Sequence, residues 1–201
     1  MKDLILIKDW GTRDRSGGLV GGFGVAVTFQ NNPRKIQCVT IASMSTLPPG
    51  FAIRTATLDD VKTIVGHRRA MFRDMRSPDE ATLDSMAARF GPWLRRKMQS
   101  REYLAWLAVT GEGEVAAGAG LWLMDWPPHV LGSGPRRGNI LNVYTERALR
   151  RRGLARALME AALAWCRENQ VDLVVLHASP DGRALYESLG FEASNEMRVR
   201  I

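Results

Sequence analysis

The chain contains little cysteine and little histidine. Cys38 and Cys166 are the only cysteines among 201 residues, too few for a disulfide framework or a cysteine-rich metal site. His67, His129 and His177 stand far apart and show no ligand spacing such as HExxH, so no metal is expected. No apolar run approaches the roughly eighteen residues of a membrane-spanning helix, so no membrane partner is expected. The first nine residues hold too short an apolar stretch for a signal peptide. With 45% hydrophobic and 24% charged residues, the composition is that of a globular chain, and the expected location is the reducing cytoplasm. The length suits one domain, or one domain plus an extension.

Charge of one sign is in excess, at +7. Such an excess serves either nucleic acid or a phosphate-rich small ligand, and its distribution separates the two. Arg147, Arg150, Arg151, Arg152 and Arg156 form one tight cluster, while the other basic residues interleave with acids. A single cluster suits a compact polyanion better than a long duplex, so no nucleic-acid partner is expected. The plain alternative is a solvated charged face.

Residues 1–50 read differently from the rest. They are rich in glycine, end in Leu47-Pro48-Pro49-Gly50 and show no helical period. They are expected to form a poorly ordered or loosely packed extension, and a start at Met44 would remove most of it. Residues 51–201 are expected to form the domain. Residues 51–56 read as a strand. Thr57 and Asp60 form a capping pair before a helix carrying Val61, Ile64, Val65 and Phe72. Ser77-Pro78-Asp79-Glu80 signals a second helix, with Ser77 as the expected cap and a break expected near Gly91-Pro92. Residues 103–110 and 114–124 read as a hairpin, residues 125–138 as a loop and residues 139–145 as a strand. Leu154, Leu158, Ala161, Ala162 and Trp165 mark an amphipathic helix. Residues 172–177 read as a strand buried on both faces, with His177 a core histidine. Residues 181–189 read as a helix closed by Gly190, and one or two strands are expected from Phe191 onward. A hairpin combined with a strand–helix–strand crossover implies an α/β fold with a mixed sheet covered by helices.

The informative stretch is Asn142-Val143-Tyr144-Thr145-Glu146-Arg147-Ala148-Leu149-Arg150-Arg151-Arg152-Gly153-Leu154-Ala155. A strand runs into a turn, and a helix opens near Gly153. The free amides of a helix N-terminus form an anion site. Gly153 lets backbone approach a ligand, Ala155 keeps the next inward position small, and the arginines can fork onto phosphate oxygens. Physically this is a pyrophosphate cradle. It is not a Walker A loop, because no Gly-Lys-Ser/Thr follows.

Arg150-x-x-Gly153-x-Ala155 resembles the coenzyme A signature, Arg/Gln-x-x-Gly-x-Gly/Ala, of the GCN5-related N-acetyltransferase (GNAT) family. Tyr186-Glu187-Ser188-Leu189-Gly190-Phe191 resembles the family's tyrosine, glycine and phenylalanine ending. The resemblance covers residues 51–201. It implies the acyl-CoA N-acyltransferase fold, a central mixed sheet of six or seven strands flanked by about four helices. It also implies acetyl-CoA as co-substrate, an amine as acceptor, and the homodimer common in the family. By the same resemblance the backbone of Val143, Tyr144 and Thr145 pairs with the pantetheine arm. The amides of Arg151, Arg152, Gly153, Leu154, Ala155 and Arg156, with Arg150 beside them, hold the pyrophosphate. Tyr186 sits near the thioester sulfur. Ser179 and Gly182 stand where many members carry asparagine and alanine, and Ser179 can still hydrogen-bond the pantetheine.

In the implied reaction an amine attacks a thioester directly, and a backbone amide near Val143 stabilises the oxyanion. Tyr186 is the expected acid for the departing thiolate, its alternative being a core aromatic. Deprotonating an alkyl amine of pKa about 10.4 at pH 7 costs about 4–5 kcal/mol, so a general base matters. Glu146 is the candidate; Asp125, His129 or a chain of waters are alternatives, and Asn142 can only hydrogen-bond. Trp93, Trp106, Trp122 and Trp126 read as core, or else as walls of an acceptor pocket. Cys166 reads as structural. Alternative functions are a protein or peptide acetyltransferase and a non-catalytic CoA- or nucleic-acid-binding regulator.

Overall fold

The computed structural model describes residues 47–76, 79–130, 132 and 134–199. Nearly all of the expected extension, with Cys38 and Met44, lies outside the described residues. The elements run β1 (Phe51–Thr55), α1 (Val61–Arg76), α2 (Glu80–Gln99), β2 (Tyr103–Thr110), β3 (Val115–Asp125), β4 (Arg136–Thr145), α3 (Leu154–Glu168), β5 (Leu173–Leu176) and α4 (Pro180–Glu187). The strands form one sheet in the order β1-β2-β3-β4-β5. The first four are antiparallel neighbours, and β5 joins β4 in parallel after the α3 crossover.

Each helix starts where local chemistry permits. Thr57 and Asp60 form the expected capping box, and Asp60 is also held by both terminal nitrogens of Arg54 at 2.7 and 2.8 Å. This pairing keeps the Asp60 carboxyl below its ordinary pKa. The cap of α2 is Asp79, which accepts from the Thr82 amide at 2.8 Å, not Ser77. The break expected at Gly91-Pro92 is absent, and α2 runs through Pro92. Pro92 removes one backbone donor, but Phe90 and Leu94 are buried on either side and anchor both turns.

Alternation along β2 divides the core. Tyr103, Ala105 and Leu107 face α1 and α2 with Val61, Ile64, Phe90 and Leu94. Trp106 and Ala108 face α3 with Leu154, Leu158, Met159 and Ala162. Trp106 meets Trp165 of α3, and Trp93 meets Trp122 edge to face at 5.3 Å, so these are packing aromatics. Trp126 is covered by the Arg137 guanidinium at 4.3 Å. Cys166 is buried, and burial pushes its thiol up to about 11, which keeps it inert.

Three expectations fail on the β4–β5 side. The sheet has five strands among the described residues, not six or seven, because residues 191–199 form no strand. The run Glu192-Ala193-Ser194-Asn195-Glu196 lacks the apolar alternation that buries one face of a strand, and Met197 and Val199 are exposed. Strand β5 is only half buried, since it pairs on one edge alone. His177 follows its end, exposed, 3.9 Å from Glu196, and is not a core residue. Conversely, β4 begins at Arg136, so the connecting loop is shorter than expected.

The glycine-rich centre of β3 makes room for polar side chains on the α1–α2 face. A Cβ at Gly120 would lie 1.9 Å from the Tyr103 hydroxyl and 3.2 Å from the Leu141 carbonyl. Gly120→Ala should therefore displace a fully buried tyrosine and cost about 1–3 kcal/mol, as overpacking does. A urea unfolding midpoint equal to wild type would show that Tyr103 is not held where described.

Candidate active site

Strand β4 changes character at Asn142. Gly120 faces Leu141 and Gly118 faces Tyr144, so Ala119 alone opposes both Asn142 and Val143. This is a bulge, with Asn142 in the left-handed region at φ 57°, a conformation asparagine tolerates. The extra residue shifts the side-chain parity. Ile140 points into the α3 core, whereas Asn142 and Tyr144 point toward α1. On its other edge β4 pairs with β5 only as far as Ile140 and Leu176. From Leu141 to Thr145 that edge has no strand beside it among the described residues, and the two parallel strands part.

A cleft of about 640 Å³ opens at the parting. Val143, Tyr144 and Thr145 form one wall and the start of α3 the floor, with Ser179 and Tyr186 opposite. Gly153 caps α3 at φ 84°, a backbone that favours glycine. No side chain caps this helix, so its first amides point to the cleft without a partner from the cap. Arg150, Arg151, Gly153, Leu154, Ala155 and Arg156 all line it. Arg152 is exposed just outside.

Two of these arginines are already engaged. Arg147 and Arg150 both pair with Asp74 in the last turn of α1, Arg147 Nε at 3.0 Å. The two guanidiniums hold the Asp74 carboxyl below its ordinary pKa, Arg147 contributing most. Arg150 Nε also donates to the Thr145 carbonyl at 3.0 Å. Arg156 donates to Ser188 Oγ at 2.6 Å, tying α3 to α4.

Helix α4 is started by Ser179, whose hydroxyl accepts from the Gly182 amide at 3.2 Å, with Pro180 in the first turn. A Cβ at position 182 would come within 2.8 Å of the Tyr186 ring. Glycine is thus required there by the position of Tyr186. The Tyr186 ring packs on Phe191 at 6.0 Å, and its hydroxyl has no hydrogen-bond partner among the described residues. Burial raises its pKa above 10.0.

Behind Tyr144 lies a second polar group. His67 of α1 is buried against Gly118, with its ring 5.1 Å from that of Tyr144 and its Nε2 3.8 Å from Glu146 Oε1. Burial lowers the His67 pKa, with Glu146 opposing. Asn142 Nδ2 donates to Tyr103 Oη at 2.8 Å, and Asn142 Oδ1 accepts from Arg68 Nη1 at 2.6 Å. His67, Tyr103 and Asn142 border a void of about 10 Å³, one water in size.

Residues 61–191 match the profile of the Acetyltransferase (GNAT) family. The chain belongs to that family. A GCN5-related N-acetyltransferase from Ralstonia eutropha is 36% identical, with 76% of this chain and 99% of that chain covered, at TM-score 0.72. An acetyltransferase from Clostridium acetobutylicum with acetyl-CoA shares 23% identity over 75% of this chain and 96% of that one, at TM-score 0.68. Glucosamine-6-phosphate N-acetyltransferase from Arabidopsis thaliana shares the fold at 16% identity, covering 75% and 97%, with TM-score 0.56. No curated protein matches the chain.

In this GNAT domain the cleft gathers the expected positions Val143 to Thr145, Arg150 to Arg156 apart from Arg152, Ser179 and Tyr186. Glu146 lies beyond the end of β4, beside His67. Asp125 and His129 do not line the cleft; Asp125 pairs with Arg136, and His129 bridges to Gly132. His67, Arg68 and Asp74 were not legible as site residues. They sit in an amphipathic helix whose pattern marks only the core face.

All three tyrosines of the chain are shifted upward. Complete burial raises Tyr103, with Asn142 opposing; burial, then Glu146 and Asp74, raise Tyr144; burial alone raises Tyr186. The folded state therefore holds these protons more tightly than the unfolded chain, and stability falls as pH climbs above about 10. At about pH 10 the phenolate absorbance of the native protein should be well under half its final value. In urea it should be near half. Coincident native and unfolded curves would disprove the burial described.

Proposed function

We propose that this protein transfers the acetyl group of acetyl-CoA to a primary amine, with a small molecule as acceptor, by direct attack in a ternary complex. One observation carries the reading: the parting of β4 from β5 opens directly over the uncapped N-terminus of α3, in a single arginine-rimmed cleft. Those residues fit coenzyme A chemically. The free amides of α3, with Arg150, Arg151 and Arg156, suit a pyrophosphate. The open edge of Val143, Tyr144 and Thr145 suits an arm that carries amides of its own. Bound acetyl-CoA would supply an activated acyl carbon and a thiolate leaving group.

The chain's own groups are assigned as follows. A backbone N–H at the Val143 bulge stabilises negative charge on the acyl oxygen. Tyr186, whose proton burial holds more tightly and whose hydroxyl has no hydrogen-bond partner among the described residues, donates its proton toward the departing sulfur. Glu146 takes up the proton of the amine. His67 beside it is held toward neutrality by burial, which disfavours its taking that proton and leaves Glu146 as the base. The acceptor is read as a small molecule because the described residues form one catalytic domain with no second recognition domain.

Acetyl-CoA at about 100 times its dissociation constant should stabilise the protein by about 2.7 kcal/mol, visible as a raised melting midpoint. Gly153→Val places a β-branched residue at a left-handed φ in the cradle and should abolish that rise. Tyr186→Phe should leave the rise intact and lower kcat by about 10²–10⁴-fold, followed by thiol release over a panel of amines. An unchanged midpoint in the wild type would remove the cofactor reading. Unchanged kcat in Tyr186→Phe would remove the acid assignment alone.

A further inference from the structure

The arginines of this domain fall into two groups. Several pair with carboxylates: Arg54 with Asp60, Arg69 with Glu80 and Asp84, Arg73 with Glu80, Arg147 and Arg150 with Asp74. Arg68 is different. It is more buried than these pairs' exposed members, yet no carboxylate approaches it among the described residues. Its guanidinium lies 4.6 Å from the centre of the Phe90 ring and 4.9 Å from that of Phe72. Its Nη1 donates to the neutral Asn142 carboxamide, and its Nε is sealed from solvent with no acceptor. Burial lowers the Arg68 pKa, and Tyr103, the group that would oppose this, stays protonated.

Even partial burial of a cation without an anion carries a cost, and the neighbouring rings recover only part of it. The cost makes physical sense where a ligand brings the anion. The position suits an acceptor. Asn142 is the bulge residue, next in sequence to Val143, and Arg68 reaches it from the α1–α2 side of the sheet. The cofactor cleft is lined by β4, α3, α4 and the later turns of α1, with Met71, Asp74 and Met75. Arg68 lies one turn before Met71 on α1 and is bonded to the residue beside Val143, which places it next to the cleft on the α1 side. The adjacent charged and titratable groups agree: His67 is held toward neutrality, Tyr103 is protonated, and Arg69 is occupied by Glu80 and Asp84.

We propose that Arg68 is the specificity residue of the acceptor site, and that the acceptor is an amine carrying its own anionic group, a carboxylate or a phosphate. The inference rests on the acetyl-transfer reading for the word acceptor, but the anion site stands on Arg68 itself. A guanidinium flanked by two rings presents its donors in a fixed plane, which favours a planar or tetrahedral oxyanion over a neutral group.

The test compares matched amines: ω-amino carboxylates, the corresponding aminoalkyl phosphates, and the same amines with the anionic group amidated or removed. Binding is followed by thermal melting with free CoA present, so that the phosphate cradle is blocked. Turnover is followed by thiol release from acetyl-CoA. The anionic members should raise the midpoint and show kcat/KM at least about tenfold above their neutral counterparts, the size of one charge-assisted contact. The preferred anion, carboxylate or phosphate, is read from which series shifts more. Arg68→Gln should erase the preference through KM, lowering kcat/KM for the anionic amines by at least about tenfold more than for their neutral counterparts, and Arg68→Lys should restore part of it. Should free CoA give no shift while the anionic amines still do, the cofactor reading fails and the anion site survives. Equal binding of anionic and neutral amines by the wild type would overturn the proposal without recourse to any variant. So would a uniform loss across both series in Arg68→Gln.

Discussion

Strand β4 has more backbone than its neighbours can pair. On one edge β3 supplies a single residue, Ala119, against Asn142 and Val143; on the other β5 ends at Leu176, opposite Ile140. Unpaired buried backbone groups are expensive, so a fold that leaves a central strand half unpaired must offer them solvent or a ligand. The cleft is the consequence. Because β5 arrives by way of α3, the helix that carries the crossover also ends its preceding turn under the parting. The open strand edge and the free helix amides therefore face one space.

The bulge also sets the opposite face of the sheet. By moving Asn142 and Tyr144 to the α1–α2 side, it brings polar groups into what is otherwise an apolar layer of Ile64, Phe90 and Leu94. That layer accommodates them with very small residues on β3. Gly118 leaves room for His67 and Gly120 for Tyr103, so neither glycine is conformational; both are matters of volume. The neutral Asn142 carboxamide links the network, donating to Tyr103 at 2.8 Å and accepting from Arg68 at 2.6 Å, while Arg68 Nε is left without an acceptor. A buried polar network of this kind stabilises one arrangement of the bulge only when its members are satisfied.

Legibility in the sequence followed the range of the interactions. The Thr57–Asp60 cap, the amphipathic α3 and the glycine of the cradle depend on neighbours a few residues away, and each was readable. So was the order of strands and helices up to α4. The misreadings on the β4–β5 side share a cause in long-range pairing. Whether β5 is buried on both faces depends on a further strand, and residues 192–196 carry no pattern that demands one. His177 was misplaced with it. His67, Arg68 and Asp74 were invisible because their partners lie on β3, β4 and the loop before α3, over seventy residues on for Arg68 and Asp74. The bulge itself left no signature beyond an asparagine in a strand, and its meaning comes only from the register of β3.

Two classes of arginine follow from where carboxylates can reach. At the cradle rim Arg147 and Arg150 are exposed, and Asp74 occupies them with a pairing worth little in solvent, about 0–1 kcal/mol for an ordinary surface pair. Phosphate oxygens would compete with Asp74 for these two arginines, whose exposed side chains are free to turn toward a ligand. The rim is also tied to α1, the helix that carries His67 and Arg68. Arg68 has no such substitute. Its ring neighbours and Asn142 hold its direction but leave its charge without a counter-ion among the described residues. One side of the bulge thus keeps a carboxylate on arginines that suit phosphate, and the other keeps an open cation. A carboxylate of the chain at this position would neutralise Arg68 and hide it from an anionic amine; on the proposed reading, the lack of one among the described residues lets the sign of the incoming group enter the selection.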